Sequence, residues 1–188
     1  MEQSFANVKV ATSSERSGYV NMVGGLVGQN DGQIIDSYAV GQVNSGGSGD
    51  STSAGGLVGF NQGSVSNSYA TGNSKSTGSA GGLIGLNSGD ISSSYSTGVP
   101  DGLYWTGGFV GSDDSQSGDL TDNYWDTDTS GITNLGQGAG NISNDPGITG
   151  LSTEQLQSGL PDGFDPTIWS ESGDINGGLP YLLALPPE

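Results

Sequence analysis

The sequence predicts an all-β fold: a parallel β-solenoid of about four to five coils closed by a C-terminal cap. Three observations point there. Gly24-Gly25-Leu26-Val27-Gly28 returns as Gly55-Gly56-Leu57-Val58-Gly59, Gly81-Gly82-Leu83-Ile84-Gly85 and Gly107-Gly108-Phe109-Val110-Gly111, with starts 31, 26 and 26 residues apart. Ten residues after the last Gly of the first three copies stands a tyrosine, Tyr38, Tyr69 or Tyr95, inside a second short motif. Between these motifs the apolar residues sit in short runs bounded by Gly and Asn, with no helical stripe.

Each element follows from a physical need. One repeat cannot bury its Leu, Val and Tyr alone, whereas stacked copies place equivalent residues over one another at strand spacing, roughly 4.8 Å. The paired glycines suit tight corners, including positive φ. The column Asn30, Asn61 and Asn87 suits turns, and its amides are able to hydrogen-bond from coil to coil. Counting alternately from Ile34, Val65 and Ile91 turns Tyr38, Tyr69 and Tyr95 inward and Ser37, Ser68 and Ser94 outward, an order that one bulge would reverse. Length variation falls in the Gly/Ser-rich stretch near Gly46 to Ser53. Ser4-Phe5-Ala6 reads as the end of an earlier repeat, and the fourth repeat is looser, with its aromatic displaced to Tyr124.

The repeats occupy residues 1–131 and the cap residues 132–188. Within the cap, Ser152 is expected to N-cap a short helix, with Gln155 three positions on. Tyr181 to Leu185 suits a final strand, and Phe164, Ile168 and Trp169 are expected to cover the last apolar layer.

Composition narrows the function. Of the 188 residues 36 are Gly, and 3 Lys+Arg stand against 20 Asp+Glu, a net charge of −17. Three scattered cations cannot neutralise phosphates, so neither nucleic acid nor an anionic membrane surface is an expected partner. No apolar run is long enough for membrane insertion. There is no Cys and no His, which removes thiolate metal sites, the commonest general base and any Ser-His or Cys-His nucleophile.

Gly-Gly-Leu-Val-Gly, the Asn-x-Gly turn and Asn-Ser-Tyr-Ala-Thr-Gly together resemble the GLUG motif of large bacterial surface proteins, notably filamentous-haemagglutinin-like adhesins. Asn123-Tyr124-Trp125-Asp126, the stretch 152–156 and Gly178-Leu179-Pro180-Tyr181-Leu182 resemble the segment that closes such arrays. The resemblance implies a right-handed parallel β-helix, secretion or surface display, and a place within a larger parent chain. It implies no particular ligand. On this reading the chain is a stalk or an adhesive module for a carbohydrate or protein receptor, and no enzyme.

Four candidate sites follow from the residues. Tyr104 and Trp105 lie in the variable segment before the fourth Gly-Gly, where aromatic faces could stack on sugars or anchor a protein. Asp126, Asp128 and Ser130 match the first half of a Ca²⁺ loop, with Asp122 nearby, although Gln137 stands where a bidentate Glu belongs. Thr71 and Thr97, with Ser37, Ser68 and Ser94, are the rows that an ice-binding solenoid would present. Asp113, Asp114, Asp119 and Asp122 are the carboxylates that a polysaccharide-cleaving β-helix would cluster, though they read more simply as a solvated turn.

Overall fold

The computed structural model describes residues 1–13, 21–47, 52–114 and 120–187. Each of the first three coils contains five short strands, and each strand stacks in parallel on its counterpart in the next coil. The second coil comprises Ser53–Gly55, Val58–Asn61, Ser64–Ser66, Tyr69–Ala70 and Ser74–Ser76. The sheet register aligns Val27, Val58, Ile84 and Val110, and likewise Ile34, Val65, Ile91 and Leu120. Four of the sheets hold four strands, while the one through the tyrosines holds six.

The main core is a set of aliphatic ladders. Leu57, Val58, Leu83, Ile84, Val65, Ile91, Phe109 and Val110 are fully buried or nearly so, each worth about 1.5–3 kcal/mol of transfer from water. Ala39, Ala70, Ser96 and Trp125 form a further inner column. Its small members face the paired glycines. A Cβ on Gly56 would collide with the carbonyl of Gly82 and meet the Ala70 methyl. Close backbone approach therefore selects these glycines; none of them has positive φ. A second, smaller core gathers Val23, Val43 and Ala54.

The tyrosines point outward, not inward. The reason is local: Asp36, Asn67, Ser93 and Asp122 lie at φ 49°, 47°, 46° and 53°. One left-handed residue per coil breaks the alternation between the aliphatic strand and the tyrosine strand, which turns Tyr out and the following Ala in. Rings of Phe5, Tyr38, Tyr69 and Tyr95 then stack with centroids 4.7–5.3 Å apart and planes within 16°.

Such an aromatic column needs a roof. The C-terminal segment supplies it: Phe164, Trp169, Leu156 and Leu182 pack on Tyr69, Tyr95 and Tyr124. Tyr95 Oη donates to the Pro180 carbonyl (2.7 Å) and Tyr124 Oη to that of Asp162 (2.8 Å). Burial pushes the Tyr95 hydroxyl well above the ordinary tyrosine range, consistent with a dry interface. Ser152 caps the helix Thr153–Leu156, with Gln155 N–H on its Oγ and its own N–H on Gln155 Oε1. Trp169–Ser170 pairs antiparallel with Tyr181–Leu182.

Phe164, Ile168 and Trp169 thus cover the side of the solenoid and not its last coil. The last coil is covered from elsewhere, because parallel pairing continues beyond residue 131. Ile148–Leu151 extends the tyrosine sheet beside Asn123–Asp126. Residues 137–141 lie along Val110–Asp113, bridging Ala139 to Val110, with Phe109 N–H on Gly138 O (2.9 Å) and Gly140 N–H on Val110 O (3.0 Å). No helix among the described residues is long and apolar enough to cross a membrane.

Candidate functional site

The strongest candidate is the corner where the third coil passes into the fourth. In register, Pro100–Gly102 stacks on Ser74–Ser76 and Trp105–Gly107 on Ser79–Gly81. The corner between them therefore places Leu103, Tyr104 and Trp105 over Thr77, Gly78 and Ser79, and Val99 over Asn73. Four small or polar positions of one coil become four large apolar ones in the next. Their backbone is held in the stack: Leu103 N–H donates to Ser76 O (3.2 Å), Tyr104 N–H to Gly78 O (3.1 Å), and Gly102 N–H to Thr106 Oγ1 (3.0 Å).

The side chains stay outside. Leu103 is 74%, Tyr104 53%, Trp105 47% and Val99 40% exposed. A fixed corner that carries exposed apolar and aromatic side chains is what contact sites use, since little conformational entropy is lost on binding. An exposed ion pair, Lys75 with Asp101, borders it on the neighbouring strand. Tyr104 and Trp105 are legible from sequence; Leu103 and Val99 come into view only once coil-to-coil register shows what they replace.

The other candidate residues serve the scaffold. Ser37, Ser68 and Ser94 are fully buried, contrary to the outward row that ice binding needs. Ser68 Oγ accepts from Ser37 N–H (3.2 Å) and Ser94 Oγ from Ser68 N–H (3.1 Å), and each hydroxyl donates to a carbonyl two residues back. The same left-handed residue that turns Tyr out directs these serines into the corner. Thr71 and Thr97 are half-buried beside the tyrosine column, whose cluster takes up Val40 at the same level of the first coil. They form a pair, not a face.

The Asp126 carboxylate is engaged by the protein's own donors. Asp126 is 1% exposed; its Oδ1 accepts the N–H groups of Asp128 (2.9 Å) and Thr129 (3.1 Å), and its Oδ2 the hydroxyl of Thr153 (2.7 Å). Asp128 Oδ2 accepts from Thr153 N–H and Ser130 Oγ from Ile132 N–H. The carboxylates are occupied in joining the tyrosine sheet to the helix Thr153–Leu156. Asp122 belongs to the left-handed column. Among the described residues no three Asp or Glu side chains converge as metal ligands.

The acidic run divides in the same way. Asp119 lies outside the described residues. Asp114 is exposed, whereas Asp113 is buried and accepts from Asn87 Nδ2 (2.9 Å). Asp113 is the terminus of the asparagine ladder, in which Asn30 Nδ2 donates to Asn61 Oδ1 (2.8 Å) and Asn61 Nδ2 to Asn87 Oδ1 (2.9 Å). None of these asparagines has positive φ, so the column serves hydrogen bonding across coils. Burial, and then the charge of Asp113, raises the Asp145 carboxyl to about 6, a coupling that sequence reading passes over because 32 positions separate the two.

Comparison with known proteins adds one finding. The family model for the GLUG motif matches residues 19–44 and 50–75, so two of the stacked units carry that motif. No curated protein and no solved structure matches the chain.

Proposed function

We propose that this GLUG-repeat solenoid is a non-enzymatic adhesive module of a larger secreted or cell-surface protein, and that it contacts a carbohydrate or protein receptor through Val99, Leu103, Tyr104 and Trp105. One observation carries the reading. At a single corner, where the preceding coil presents Thr, Gly and Ser, this coil presents Leu, Tyr and Trp with 47–74% of each exposed, and Val99, 40% exposed, stands at the other end of the adjoining strand. Exposing four such side chains works against solubility, and a docking partner that covers them accounts for their place. The rest of the molecule suits a scaffold, since its polar columns are consumed by coil-to-coil hydrogen bonds. Three cations against twenty acids fit display among neutral or basic partners.

Glycan-array and cell-binding measurements on the wild type and Trp105→Ala test this. Trp105 is half exposed, so its removal leaves the fold intact while binding falls by tenfold or more, as for an aromatic anchor. Equal binding by both proteins to every glycan and cell surface that retains the wild type would leave the corner without a role and reduce the module to a spacer.

A further inference from the structure

We infer that the open end of the aromatic column is a saccharide-binding site, in which the Phe5 ring carries a neutral pyranose and Asn7, Asp174 and Asn176 engage its hydroxyl groups. A cavity of about 470 Å³ opens between this end of the column and the C-terminal segment, lined by Phe5, Asn7, Tyr38, Asp174, Asn176 and Gly177 among others. That volume falls within the roughly 300–1,000 Å³ of small-molecule sites.

The aromatic wall comes from the tyrosine sheet. Phe5 pairs with Tyr38 in register, and the two rings stack with centroids 5.3 Å apart and planes 16° from parallel. Phe164 and Trp169 roof the rings of Tyr69, Tyr95 and Tyr124. Phe5 lies beyond that roof and stays 52% exposed, so one flat aromatic face is open beside the cavity.

The opposite rim is fixed. Asn176, Gly177 and Gly178 lie at φ 52°, 63° and 84°, and Gly177 O accepts from Gln157 Nε2 (2.7 Å). Asn176 Nδ2 donates to Tyr95 Oη (2.8 Å) and Pro180 O (2.9 Å). With its nitrogen spent on the scaffold, Asn176 keeps Oδ1 as an acceptor. The Asp174 and Asn7 side chains are exposed and make no hydrogen bond among the described residues. A rim held in place by the fold loses little entropy when a ligand enters.

These groups define the ligand. No Lys or Arg lines the cavity, and its charge is the Asp174 carboxylate, which works against any anionic ligand. Recognition of a quaternary ammonium uses rings that surround it, whereas Phe5 and Tyr38 are nearly parallel and offer a single face. Side-chain acceptors and an amide donor around one aromatic plane complement a neutral pyranose, whose C–H face stacks on the ring while its hydroxyls pair with the polar groups. The corner at Leu103 to Trp105 belongs to other sheets, so loss of either site leaves the other intact.

Amide chemical shifts of the full chain, titrated with the methyl glycosides of glucose, galactose, mannose and N-acetylglucosamine, with methyl glucuronide and with tetramethylammonium chloride, test this. At least one neutral glycoside is expected to shift Phe5, Asn7, Asn176 and Gly177 saturably at millimolar concentration, and the two charged probes are not. Phe5→Ala is expected to weaken that binding about tenfold or more. Asn7→Ala, at an exposed side chain outside the scaffold's hydrogen bonds, also weakens it, and Trp105→Ala leaves it unchanged. The absence of a saturable shift at these amides with all four neutral glycosides overturns the site. So does tighter binding of the glucuronide or of tetramethylammonium, neutral binding that survives both Phe5→Ala and Asn7→Ala, or neutral binding that is lost in Trp105→Ala.

Discussion

Replacing Asn61 by Ala probes the stack at its most connected polar point. Asn61 is fully buried, donates to Asn87 and accepts from Asn30. The variant removes the two ladder hydrogen bonds, each worth about 1 kcal/mol net, together with longer ones from Asn61 Nδ2 to Gly63 O (3.5 Å) and Asp90 O (3.4 Å), and strips a buried donor and a buried acceptor of their best partners, at about 1–3 kcal/mol apiece. Weaker contacts remain for both, Asn30 Nδ2 to Ser64 O at 3.2 Å and Gly89 N–H to Asn87 Oδ1 at 3.3 Å, which places the total near 2–4 kcal/mol. For a chain of this size that lowers Tm by roughly 5–15 °C. Asn44→Ala is the control, because Asn44 faces solvent and its loss stays within about 0.5 kcal/mol. Thermal unfolding followed by circular dichroism measures both. If Asn61→Ala and Asn44→Ala unfold at the same temperature, the column is not a hydrogen-bonded ladder across coils.

Further outcomes follow from the same contacts. Trp169→Ala removes the ring that lies 4.6 Å from Phe164 and about 6 Å from Tyr69 and Tyr95; it is expected to cost about 3–5 kcal/mol and to expose residues 152–187 to limited proteolysis while the coils stay protected. Asp126→Ala deprives two N–H groups and the Thr153 hydroxyl of their acceptor and is expected to cost at least about 2 kcal/mol. Millimolar calcium added after EDTA, in contrast, leaves the wild-type Tm where it was, and a rise abolished in Asp126→Ala would restore the cation reading.

The stacking was legible because the Gly-Gly units keep a constant ten-residue path to the tyrosine, and such regularity has no use unless equivalent residues meet. Other features were hidden for identifiable reasons. Strands such as Ser53–Gly55 and Ser74–Ser76 carry no apolar alternation, so five strands per coil read as two. The outward turn of the tyrosines depends on one backbone dihedral at Asp36, Asn67 and Ser93. Asp and Asn there are among the residues most tolerant of the left-handed region, which is the signal that a closer reading would use. Once Tyr faces out, an apolar segment must cover it, and Phe164, Trp169 and Leu182 become its roof. Tyr104 and Trp105 stood out in the sequence as aromatics of a variable segment, and the structure sets them on a corner in regular register with the coil before. Its extension to Val99 and Leu103 needed register, and the Asp113–Asp145 pair needed the fold itself.

The account depends most on a stack whose tyrosine rings lie on its outer face beneath the C-terminal segment. Nuclear Overhauser contacts of the Tyr69 and Tyr95 ring protons test it directly. They should run from one ring to the other and to the Trp169 indole, with none to the methyl groups of Leu57 and Leu83. Ring contacts to those leucines, with Trp169 distant, would contradict it.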